Sequence, residues 1–93
     1  MTARAQTNGK RPSRLGHARR GFRGRIHAIE VAFESGTLPA GELERRLIEF
    51  GFTEGALIEI LHEGFFGRDP IAVRVNDSTV ALRRREAMAI QVI

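Results

Sequence analysis

The stretch LIEFGFTEGALIEI, Leu47 to Ile60, constrains the fold most, because apolar periodicity changes across a joint that holds Gly51 and Gly55. Before the joint, Leu43, Leu47 and Phe50 recur at the i, i+4, i+7 spacing of one helix face, while Glu42, Arg45, Arg46 and Glu49 line the other. After it, apolar residues cluster and alternate as strands do. A helix ending on Phe50 puts Gly51 at the left-handed C′ position that glycine adopts without penalty, and lets Phe52 fold back on Leu47. Gly55 suits a second reversal at positive φ. At the other end of the helix, Pro39 fits the first turn, with Ser35 or Thr37 as the cap.

The rest of the pattern is mainly β. GRIHAIEVAF, residues 24–33, predicts a first strand that does not declare which face is buried. ALIEILHE, PIAVRV, STVALR and AIQVI predict four more, with Asn76-Asp77 as a tight hairpin turn and RREAM as one helical turn before the last strand. A chain of 93 residues makes one domain and buries only about 60% of the surface its unfolded form exposes. Five short strands in so little chain cannot fill two sheets, so a small closed five-stranded β-barrel with one short helix after the first strand is expected.

Charge divides the chain. Residues 1–25 hold eight of its 15 Lys and Arg and none of its 11 acidic residues, so the net +4 belongs to an N-terminal arm and the remainder is mildly acidic. Residues 1–14 have almost no apolar content and are predicted to be a disordered basic arm, leaving 15–93 as the folded domain. Such an arm suits a polyanion or the anionic inner face of a membrane. A nucleic-acid-binding body, however, is expected to carry its own basic stripe, and none is evident in the pattern. The absence of cysteine excludes disulfides and thiolate chemistry, and no apolar run approaches the length of a membrane span. A cytosolic location is expected.

Candidate sites are few. Gly64-Phe65-Phe66-Gly67 reads as a loop between strands with a paired aromatic anchor for a protein partner, against the plainer reading of Phe residues capping a barrel. His62, Glu63 and Asp69 are candidate metal ligands, but His62-Glu63 lacks the second histidine of a metalloprotease helix, and surface histidines are the plainer reading. Arg83-Arg84-Arg85 could hold phosphate, yet a solvated turn pairing with Glu86 is favoured. No phosphate-cradling glycine pattern, serine elbow or activated nucleophile is present, so neither an enzyme nor a cofactor is expected.

The order and spacing of Arg46-Leu47, Phe50-Gly51-Phe52 with Gly55, Gly67 to Pro70, Ala81-Leu82-Arg83, Glu86-Ala87 and Ile90-Gln91-Val92 resemble the ferrous iron transport protein A family. Leu15, Gly21, Gly24 and Ile26 are similar to the family's opening, so the resemblance spans residues 15–93. It implies an SH3-like β-barrel, related to domains at the C-terminus of iron-dependent repressors. It also implies a small cytosolic protein that supports a GTPase-bearing ferrous iron permease, at the inner face of the membrane. On that basis the expected function is a non-enzymatic accessory that binds the permease, with Arg45, Arg46, Phe65 and Phe66 as the contact residues. The alternatives are a nucleic-acid-binding SH3-like module using the basic arm, and weak metal sensing through His62, Glu63 and Asp69.

Overall fold

The structure, a computed structural model, describes residues 11–31 and 40–93. The proposed helix start at Ser35, Thr37 and Pro39 and residues 1–10 of the arm lie outside the described residues. Strands β1 (Ser13–Arg14), β2 (Arg23–Ile29), β3 (Leu57–Phe66), β4 (Asp69–Val75), β5 (Ser78–Leu82) and β6 (Ile90–Val92) are joined by a 3-10 turn at Leu15–His17 and by helices α1 (Ala40–Glu49) and α2 (Arg84–Ala87).

The strands form one antiparallel sheet in the order β1-β6-β2-β3-β4-β5. The expected closed five-stranded barrel is therefore corrected to an open six-stranded sheet. The extra strand comes from Ser13 and Arg14, which the pattern assigned to the disordered arm and which pair with Val92 and Gln91. β1 and β5 sit at opposite edges of the sheet, so among the described residues no ladder closes the ring.

Strand alternation sets the core. Ile71, Val73 and Val75 of β4 are buried with Ile58 and Ile60 of β3 and Ile90 and Val92 of β6. β2 breaks this regularity: a register shift between Ile26 and Ala28 leaves Ile26 buried and Ala28 and Ile29 both half-buried. An added residue at a bulge turns the alternation over partway along a strand, which is why the sequence did not declare one buried face.

α1 packs through Leu43 and Leu47, both buried. Its end is a double-bonded stop: the Gly51 N–H donates to the Ile48 carbonyl at 2.9 Å, and the Phe52 N–H to the Leu47 carbonyl at 2.9 Å. Gly51 has φ 102°, a region that penalises any Cβ. Phe52 is thereby turned fully inward, with no exposed surface. Phe50, expected on the packed face of the helix, is instead 40% exposed, with the Arg46 guanidinium 5.8 Å from its ring centroid. The chain reverses one residue later, and Phe52 takes the core position. Gly55 at φ 86° then turns the chain into β3.

Candidate docking surface

β3 and β4 make a long ribbon whose tip carries the aromatic pair. Phe66 pairs with Asp69 across a turn at Gly67 and Arg68, so Gly64, Phe65 and Phe66 belong to the end of β3 rather than to a free loop. Phe65 is 100% exposed and Phe66 88%. The ribbon simply runs past the core, so among the described residues no element covers either ring.

Below the tip, Arg84 ties four segments together. Its side-chain Nη1 donates to the carbonyls of Gly16 at 3.1 Å and Ala18 at 2.6 Å, and Nε to the carbonyl of Arg68 at 2.8 Å. Nη2 pairs with Glu63 Oε2 at 2.7 Å, and the Arg84 backbone N–H donates to Asp69 Oδ1 at 2.9 Å. Glu63 Oε2 also accepts the Arg20 N–H at 3.2 Å. The Arg84 and Glu63 side chains are each only 18% exposed, so their charges are screened far less than those of a surface pair. The planar, five-donor guanidinium suits this bundle of carbonyl and carboxylate acceptors, where a lysine would not. A Cβ on Gly16 would come within 2.5 Å of the Arg84 carbonyl oxygen, so the close approach of the 3-10 turn to α2 needs glycine there.

The solvated-turn reading of Arg83-Arg84-Arg85 is thus corrected for its middle member. Arg83 and Arg85 are exposed, and Glu86 Oε1 accepts the Arg83 N–H at 3.0 Å. One signal pointed to Arg84: the i, i+3 spacing to Ala87, which is buried, puts both on the inward face of α2. Because Arg84 engages both Glu63 and Asp69, these carboxylates are structural groups rather than partners of exposed His62. Among the described residues, no group of three or more His, Cys, Asp or Glu is placed to hold a metal ion.

Arg45 and Arg46 are exposed on α1, away from the tip. A Cβ on Gly51 would lie 3.9 Å from Val75, which pairs with Ile58, so α1 ends beside the start of β3. The Phe pair sits at the far end of this ten-residue strand, roughly 30 Å along it at the usual strand rise. The four expected contact residues therefore form two separate surfaces rather than one.

Comparison with known proteins places this architecture. Residues 14–93 match the FeoA domain. No match was found among curated proteins. The solution structure of iron(II) transport protein A from Clostridium thermocellum is 32% identical, with a TM-score of 0.70, over 86% of this chain and 44% of that one. Stenotrophomonas maltophilia FeoA, solved with zinc and described as a prokaryotic SH3 domain protein, is 23% identical with a TM-score of 0.70, over 87% of this chain and 89% of that one. A manganese-dependent transcriptional repressor is 23% identical with a TM-score of 0.71, over 88% of this chain and 41% of that one. The open sheet is thus an SH3-like fold, and with the domain match covering nearly all of the described residues, the chain belongs to the FeoA family.

Proposed function

We propose that this chain is a non-enzymatic accessory of ferrous iron transport that docks on the cytosolic part of a GTPase-bearing ferrous iron permease and modulates its activity or assembly. Family membership supports the transport role, and relatives in the family are described as iron(II) transport protein A and as a candidate ferrous iron transport activating factor. The observation that carries the docking reading is the exposed Phe65-Phe66 pair on a hairpin tip braced by Arg84. Isolated large aromatics in water cost free energy that a partner recovers by burying them, and aromatic anchors dominate interface energetics. Arg45 and Arg46 on α1 supply a second, charged contact with the same permease. Among the described residues no helix is long and apolar enough to cross a membrane, so in this reading the protein reaches the inner membrane face through the permease.

The test is binding of the full chain to its cognate permease in detergent, alongside uptake of radiolabelled ferrous iron by cells with and without the gene. Wild type binds and restores uptake, whereas Phe65→Ser/Phe66→Ser, folded by circular dichroism, weakens both at least tenfold. A chain with no affinity for the permease, and no uptake defect on deletion, would sink the proposal.

A further inference from the structure

The outer face of the sheet carries another surface, at the end of β3 away from the tip. Register sets Arg23 opposite Glu59, Glu59 opposite Arg74 and Arg74 opposite Thr79, one row across four strands. Arg25 stands opposite Leu57 in the next row. Ile58, Val73 and Val75, which alternate with these residues, are buried, so the rows face outward. Arg23, Arg25 and Arg74 are exposed and Leu57 is 55% exposed. Ile93, also partly exposed, is joined to Arg25 by backbone hydrogen bonds in both directions, at 2.9 and 3.0 Å. Arg23, Arg25, Leu57, Glu59 and Arg74 line an open groove of about 460 Å³.

Three guanidiniums face one carboxylate here. Among the described residues, the ion pairs within 4.0 Å are Arg14–Glu30 and Arg84–Glu63, so no carboxylate pairs with Arg23, Arg25 or Arg74. Among the described residues, the Arg25 side chain gives one hydrogen bond, to the Gly55 carbonyl at 3.1 Å. Guanidinium forks match carboxylates in shape as well as charge. Arginines beside an exposed aliphatic side chain have the make-up of a protein contact. Single-stranded nucleic acid would instead want aromatic platforms for its bases, and the exposed apolar residue lining this groove is the aliphatic Leu57.

We propose that this face binds an extended acidic segment of a protein partner, with an apolar side chain over Leu57 and flanking carboxylates on Arg23, Arg25 and Arg74. Arg23 and Arg74 stand about 10 Å apart, two strand spacings, and carboxylates that flank an apolar residue on one face of an extended segment, four positions apart, stand about 13 Å apart. Long arginine side chains close that difference. The surface is independent of the Phe65-Phe66 tip and of the identity of the partner docked there.

The experiment titrates the full, isotope-labelled chain with a short capped peptide that carries glutamate, leucine and glutamate at every second position with serine between, so that all three share one face when extended, followed by amide NMR shifts. The expected shifts cluster at Arg23, Arg25, Leu57 and Arg74, and the affinity falls as salt rises. Arg23→Glu/Arg74→Glu weakens binding about tenfold, and Leu57→Ser weakens it while keeping every charge. Phe65→Ser/Phe66→Ser leaves peptide binding unchanged, whatever it does to the permease. Absence of shifts, equal binding of a lysine–leucine peptide, or preferential binding of an oligothymidylate would each overturn the proposal.

Discussion

Two phenylalanine pairs, each set against glycine, fare differently in this molecule. Phe50-Gly51-Phe52 stops α1 and sends Phe52 into the core, whereas Gly64-Phe65-Phe66-Gly67 ends a strand and leaves both rings in solvent. Residue type is the same and hydropathy is the same. What differs is the path of the backbone relative to the sheet: the first pair lies where the chain doubles back onto β3 and β4, the second where the ribbon has outrun every described element that could cover it. An aromatic beside a glycine is therefore buried or displayed according to where the backbone path carries it, as Phe50 and Phe52 on either side of Gly51 also show.

The largest expected contrast between the regions is energetic. Phe52→Ala is expected to cost about 3–5 kcal/mol in urea unfolding, as for a fully buried phenylalanine, while Phe65→Ala and Phe66→Ala stay within about 0.5 kcal/mol. Equal losses at the two sites would break the comparison. Arg84→Gln comes next, at about 2–3 kcal/mol, because it strands the partly buried Glu63 carboxylate and several carbonyls. Hydrogen exchange should then accelerate at residues 64–68 and 16–20 and stay unchanged at the α1 joint. Gly51→Ala is expected to cost about 1–2 kcal/mol by forcing a Cβ into the left-handed region, with thermal unfolding as the readout. Smallest is Glu30→Gln: it removes the surface pair with Arg14 at 3.1 Å and should shift stability by no more than about 0.5 kcal/mol.

The α1 joint was legible because its determinants are local. A left-handed glycine, a preceding amphipathic turn and a following apolar residue lie within ten positions, and the structure reproduces each of them. The four strands after Gly55 were legible for the same reason, through alternation and the Asn76-Asp77 turn. What escaped depends on distant partners. β1 is two residues long and exists only because β6, almost eighty residues later, offers an edge. Whether a sheet closes depends on register summed over every pair, and no single strand encodes it. The bulge in β2 hid its buried face, and Phe50 lost its place in the core to Phe52 because the helix stops where it does. At the candidate site, the exposed aromatic tip was visible as a motif, but its distance from Arg45 and Arg46 follows from the length of β3. Arg84 was hidden among three arginines, since only the inward turn of α2 separates it from its neighbours.

The arginine that braces the tip also fixes an order of events. Arg84 bonds the carbonyls of Gly16 and Ala18 across 68 and 66 positions of sequence, and β1 waits on β6 in the same way. During synthesis the helix joint and the β3–β4–β5 meander can form from neighbouring residues as they emerge, because short loops close at little entropic cost. The segment from Ser13 to Ala18 has nothing to settle on until residues 84–92 have left the ribosome. The first part of the sheet to be made is thus among the last to be locked.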